Sequence, residues 1–313
     1  MDMHRKPAWL NKKINLVNCQ KVKELLRDLN LNTVCQQAAC PNIGECFSRG
    51  EATFLILGKI CTRNCQFCGI EKGLPAAVDW DEPLRVAQAV QKMDLKHVVL
   101  TSVTRDDLED GGADVFIRTI AEIRKLNKKI NSVRDVSLIR TENSIKLSSE
   151  LESKVSSNRI NIELLVPDFQ LNKQTIKKLA DAQPEIIAHN IETVPRLYPY
   201  ARQSADYKHS LQVLKIIKES NESVRTKSGI MLGLGEEEQE VLDVFDDLAE
   251  HGCDFLSIGQ YLAPSSSHVK VKEYISPEKF SYYKHKALEA GLSHVESGPY
   301  VRSSYSAASY LSK

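Results

Sequence analysis

No stretch of this 313-residue chain is apolar for long enough to cross a bilayer; the longest apolar runs, such as Ala52–Leu57, are strand-sized. Formal net charge is only +1, so composition offers no electrostatic case for nucleic acid or a membrane surface. The opening residues, Met1–Leu10, lack the apolar core of a secretory signal, and a cytoplasmic, reducing setting is the expectation. None of the 8 histidines has H-x-x-H or H-E-x-x-H spacing, which removes the common histidine metal motifs. No G-x-G-x-x-G follows the first expected strand, so a dinucleotide fold loses support. Internal repeats and true low-complexity tracts are absent as well.

Cysteine is scarce too, yet six of the 8 fall into two tight groups. Cys35, Cys40 and Cys46 form a C-x4-C-x5-C run, and Cys61, Cys65 and Cys68 a C-x3-C-x2-C run. In a reducing compartment clustered cysteines read as metal ligands rather than disulfides. Three thiolates can hold three corners of a cubic iron–sulfur cluster and leave one iron open to another ligand. Zinc with three cysteines and a histidine is the plainer alternative. Cys19 and Cys253 fit no cluster spacing and read as small buried side chains.

Hydrophobic periodicity alternates between short β-rich runs and longer helical ones. Strands are expected at 53–57, 97–101, 161–166, 185–188, 227–232 and 254–258. Helices are expected at 83–93, 112–126, 173–182, 207–218, 237–251 and 277–290. Pro83 and Pro277 stand near helix starts, and Gly252 and Gly291 just past helix ends. Six strand–helix units in succession predict an α/β fold with a parallel sheet and right-handed crossovers. The second cysteine group follows the first strand, where a β/α barrel carries its chemistry. The expectation is a partial (β/α)6 TIM-like barrel over residues 51–291. An N-terminal extension (1–50) carries the first cysteine group, and a C-terminal tail (292–313) closes the chain. A polar stretch at about 132–159 reads as a surface insertion.

The C-x3-C-x2-C run with Phe67 before its last cysteine resembles the signature of radical S-adenosylmethionine (SAM) enzymes. The remainder is similar to the lipoyl synthase family across nearly the whole chain. The similarity is carried by Pro41–Cys46, Thr101–Asp107, His189–Tyr198, Thr226–Gly229, Met231–Glu236, Ile258–Leu262 and the tail Arg302-Ser303-Ser304-Tyr305.

The resemblance implies two [4Fe–4S] clusters and SAM as cofactors. It implies a radical-generating cluster on Cys61, Cys65 and Cys68, and an auxiliary cluster on Cys35, Cys40, Cys46 and Ser304. It implies sulfur insertion at C6 and C8 of an octanoyl chain on a lysine of a lipoyl carrier protein, the auxiliary cluster donating the sulfur. Phe67, Thr101, Ser102, Asn190, Glu192, Arg202, Lys227 and Gly233 are the candidates for SAM contacts. Implied partners are an octanoylated glycine cleavage H protein or dehydrogenase E2 lipoyl domain, a ferredoxin or flavodoxin as electron donor, and an iron–sulfur carrier that rebuilds the spent cluster. No nucleic acid or membrane partner is expected. A biotin-type or methylthio-transfer enzyme of the same superfamily is the nearest alternative. A non-catalytic iron–sulfur or zinc protein is the more distant one.

Overall fold

A computed structural model describes residues 6–10, 19–38, 40–49, 51–139, 159–305 and 307–311, with the backbone alone for 129–139. Seven parallel strands run in chain order: β1 (Thr53–Ile56), β2 (His97–Ser102), β3 (Asn161–Leu165), β4 (Ile186–Ala188), β5 (Arg225–Leu232), β6 (Phe255–Gln260) and β7 (His294–Gly298). Registers such as Phe54↔Leu100, Leu100↔Leu164, Leu164↔Ile187 and Leu256↔Val295 align them. A two-residue strand, Asn32–Thr33, pairs antiparallel with β1 and ends the sheet on that side. β7 ends it on the other, so the sheet is a barrel left open between its edges.

Six helices alternate with the strands: α1 (Glu82–Lys92), α2 (Ala113–Ile139), α3 (Lys173–Asp181), α4 (Tyr207–Ser220), α5 (Glu238–Glu250) and α6 (Pro277–Glu289). Local chemistry marks their ends. Asn172 and Asp206 accept the first free backbone N–H groups of α3 and α4. Glu237 and Glu240 form a reciprocal capping box at α5. Gly252 and Gly291 take φ of +73° and +110° beyond α5 and α6, where a side chain would be strained. Ile162 and Leu164 of β3, with Val86, Val90 and Phe116 of the helices, belong to one apolar layer. Leu256 and Ile258 of β6 join Phe245 and Phe280 in another. The alternate strand positions are polar or bare: Glu163, Lys227, Gly229, Ser257 and Gly259.

Two expectations need correction. The chain builds a seventh strand from the first residues of the tail. Only Val295 in His294–Gly298 is an apolar, buried residue, so the segment lacks the pattern that betrays a strand. The expected insertion does not begin at Ser132, because α2 runs on to Ile139. Residues 140–158 lie outside the described ones. Among the described residues no helix is long and apolar enough to cross a membrane.

Candidate metal centres

The second cysteine group occupies the loop that follows β1. Leu57 and Gly58 turn the chain at φ +66° and +90°. Ile60–Cys61 then pairs with Glu71–Lys72, so the two ends of the loop are tied together around Cys65 and Cys68. Other loops fasten its middle. Gln66 N donates to Ala201 O at 2.9 Å, and Val269 N to Gln66 O at 3.2 Å. A ring nitrogen of His268 lies 3.2 Å from Cys68 O. Arg63 N donates to Cys61 Sγ at 3.5 Å. The thiols are near enough to disfavour one another's ionisation. Burial, first, then Cys65 and Cys61, push the Cys68 thiol up to about 12, against backbone N–H donation at Ile70. Burial also raises Cys65, with Arg202 opposing and Glu192 adding to the rise.

Asn190, Glu192 and Arg202 gather beside Cys65 at the end of β4. Asn190 Nδ2 donates to Glu192 Oε1 at 3.1 Å, and an Arg202 guanidinium nitrogen donates to Asn190 O at 3.1 Å. Burial raises the Glu192 carboxyl, and Arg202 holds it back. Asn190 Oδ1 and Ser102 Oγ are buried acceptors with no partner among the described residues. Phe67 packs against the second apolar layer.

The other candidates are engaged elsewhere. Thr101 Oγ1 donates to Leu165 O at 3.0 Å. At Gly233 (φ +104°) a Cβ would stand 2.3 Å from Gln260 Nε2 and 2.4 Å from Glu273 O, so this close approach requires glycine. Lys227 does not join the group near Cys65. It is fully buried, 2.9 Å from Glu163 Oε1, with its ammonium 3.8 Å above the Tyr310 ring. A buried cation needs a partner, and Glu163 on the next-but-one strand supplies it.

The first cysteine group lines a cavity of about 470 Å³ together with Thr53, Arg302 and Ser304. Cys35 rides on a helical turn, Val34–Gln37, capped by Thr33, whose hydroxyl accepts from Gln36 N at 3.4 Å. Cys40 follows it, its N–H donating to Cys35 O at 3.0 Å. Cys46 sits on a second short helix, Ile43–Ser48. Burial, then Cys35 and Glu51, push the Cys46 thiol up to about 12, while Arg49 opposes. Burial raises Cys35 as well, against hydrogen bonds from Thr53.

The tail forms part of the wall of this cavity. Asn42 Nδ2 donates to Tyr300 O at 2.7 Å, and Tyr305 OH to Glu45 Oε1 at 3.1 Å. Thr53 Oγ1 donates to Ser304 Oγ at 2.8 Å, and Asn190 Nδ2 to Ser303 Oγ at 2.6 Å. Two strand glycines make room. A Cβ on Gly259 would stand 2.2 Å from Val301 O, and one on Gly229 3.0 Å from Ser303 Oγ. Sequence reasoning missed Thr53, Asn42, Arg302 and Ser303 as parts of this centre. Only the adjacency of Ser303 and Arg302 to Ser304 hinted at them.

No three described His, Cys, Asp or Glu side chains converge as the ligands of a single ion do. The three thiols of the first group line one cavity with the Ser304 hydroxyl, a donor set that suits a multi-iron cluster.

The radical SAM superfamily model matches residues 55–248. Lipoyl synthase of Geotalea uraniireducens is 50% identical over 310 residues, covering 99% of each chain. Lipoyl synthase of Caldanaerobacter subterraneus subsp. tengcongensis is 47% identical over 303 residues, covering 97% of this chain and 96% of that one. The chain belongs to the lipoyl synthase family. As a lipoyl synthase of the radical SAM superfamily it is an enzyme that uses a [4Fe–4S] cluster and SAM. Among solved structures, Streptococcus suis SuiB bound to S-adenosylmethionine superposes with a TM-score of 0.55 at 11% identity, over 90% of this chain and 61% of that one. The maturase HydG superposes with a TM-score of 0.50 at 13% identity, over 91% and 73%. At these identities the likeness is one of fold: a lipoyl synthase chain on the partial barrel that the sequence leads one to expect.

Proposed function

We propose that this lipoyl synthase inserts two sulfur atoms, at C6 and C8, into an octanoyl chain borne on a lysine of a lipoyl carrier protein. Cys61, Cys65 and Cys68 hold the [4Fe–4S] cluster that works with SAM, and Cys35, Cys40, Cys46 and Ser304 hold a second [4Fe–4S] cluster. When bound, these groups supply the hydrogen-abstracting radical and the inserted sulfur.

The protein's own part is to bind, orient and shield. Asn190, Glu192 and Arg202 bring an amide and two opposite charges beside Cys65, a set suited to the amino and carboxylate groups of SAM. Ser102 adds a buried hydroxyl without a partner among the described residues. Thr53 and Arg302 direct a hydroxyl and a cation at the first group, where oxygen is a harder and more replaceable ligand than thiolate. One observation carries the reading: Ser304 reaches the cavity of the first cysteine group while its neighbour Ser303 bonds Asn190, beside the second. An octanoylated glycine cleavage H protein or dehydrogenase E2 lipoyl domain is the substrate. A ferredoxin or flavodoxin donates the electron, an iron–sulfur carrier renews the second cluster, and the setting is the cytoplasm.

The test is anaerobic incubation of the protein with SAM, reductant and an octanoylated carrier-domain peptide, followed by mass spectrometry. The expected product carries two added sulfur atoms. SAM cleavage with the peptide unchanged in mass overturns the sulfur-insertion reading, and zinc without sulfide in the purified protein overturns both cluster assignments.

A further inference from the structure

Arg63 lies between Cys61 and Cys65, and nothing in the function above uses it. Its guanidinium is almost completely enclosed and is gripped by two carboxylates from two different loops. Nε and one terminal nitrogen donate to Asp106 at 2.7 and 2.8 Å, beyond β2. Both terminal nitrogens donate to Asp168 at 2.6 and 2.8 Å, beyond β3. Two forked pairs on one arginine are a geometry that lysine cannot reproduce.

The carboxylates are themselves held. Asp106 accepts from Thr62 Oγ1 at 3.2 Å and from Gln170 Nε2 at 3.2 Å. Asp168 accepts from Gln170 N at 3.0 Å. The chain leaves Asp168 through three successive left-handed residues, Phe169, Gln170 and Leu171, at φ +47°, +49° and +56°. None is glycine, so the surrounding structure imposes the turn. Phe169 packs over Gly111, where a Cβ would approach its ring to 2.8 Å. The backbone N–H of Arg63 itself donates to Cys61 Sγ at 3.5 Å, so the clamp acts one bond path from a ligand sulfur.

We infer that Arg63, clamped by Asp106 and Asp168, is a positioning residue: it sets the cysteine loop for the cluster before iron arrives and tunes the cluster's potential through the net negative charge of the trio. The inference rests on the second cysteine group holding a [4Fe–4S] cluster. Groups that orient metal ligands typically change metal affinity by about 10–100-fold when removed. Net charge beside an iron–sulfur cluster sets its potential. Taking away the cation leaves two carboxylates and disfavours the added electron; taking away one carboxylate does the opposite.

The experiment uses the full-length, anaerobically reconstituted protein and the electron paramagnetic resonance signal that responds to SAM, which reports the second group alone. Arg63→Gln is expected to release iron to a chelator at about tenfold lower concentration or less and to lower the midpoint potential. Asp106→Asn is expected to raise it. Arg63→Lys keeps the charge without the fork, so its potential stays near that of the wild type while iron is still lost more readily. Arg63→Gln with wild-type iron retention and potential overturns the inference, as do Arg63→Gln and Asp106→Asn shifting the potential in the same direction. If Arg63→Gln does not fold, Arg63→Lys and Asp106→Asn decide between the same outcomes. A wild-type protein without the SAM-responsive signal refutes the cluster assignment instead, so the two failures are distinct.

Discussion

Glu82 illustrates how a single residue in the fold is set by its surroundings. Its side chain is only 5% exposed, at the start of α1, and accepts Leu57 N at 2.7 Å under the turn that leads to the second cysteine group. Burial, first, pushes its carboxyl up to about 7, against the Leu57 N–H. An acid whose folded value is raised holds its proton more tightly in the folded state. Stability is therefore greatest below about pH 4.5 for this group and falls by about 3 kcal/mol as pH rises through 7. Glu82→Gln keeps an acceptor for Leu57 N without the charge. It is expected to raise stability at pH 8 and to flatten the loss between pH 5 and 7, read from urea unfolding midpoints. Lys227 shows the reverse lesson about legibility. From sequence it is a cation on a strand near a site; its role as the buried partner of Glu163 depends on a strand 64 residues away.

At the scale of elements, the tail is the part that local sequence describes least well. Helices α3 to α6 carry caps and periodicity, and α5 and α6 a following glycine, so their existence and approximate limits are legible. β7 shows one buried apolar residue, and the segment 299–305 shows no period at all. Its course is decided by what it meets: Gly229 and Gly259 in the barrel wall, Asn42 and Glu45 in the N-terminal extension, Asn190 at the end of β4. Gly259→Ala places a methyl group 2.2 Å from Val301 O. That clash is expected to cost about 1–3 kcal/mol and to unseat the tail, so that iron is lost from the first cysteine group while the SAM-responsive cluster signal persists. Truncation after Gly298 removes Ser304 outright and is expected to have the same iron phenotype. Either variant with a full iron content shows that the tail does not help to hold the cluster of the first cysteine group.

For the whole molecule, one cysteine group lies in the N-terminal extension and the other in the loop after β1, and Thr53, Asn190, Ser303 and Ser304 link them. Two [4Fe–4S] clusters predict about eight irons and as many sulfides per chain. Replacing Cys35, Cys40 and Cys46 by alanine is expected to leave about four, with continued formation of 5′-deoxyadenosine from SAM but no sulfur transfer. Cys65→Ala is expected to abolish 5′-deoxyadenosine formation. Lipoyl product from the first variant, or SAM cleavage by the second, measured by mass spectrometry, contradicts the division of labour between the groups.

The order of strands and helices, the parallel sheet and the two thiol groups were determined by the sequence alone, because periodicity, caps and ligand spacing are local and survive without a fold. The partners were decided only in three dimensions. Which serine faces which cysteine group, why Lys227 turns to Glu163, and how Arg63 comes to be held by Asp106 and Asp168 are contacts between residues about 40 to 250 positions apart. Such contacts arise from the closing of the barrel around its own tail, and no short stretch of chain encodes them.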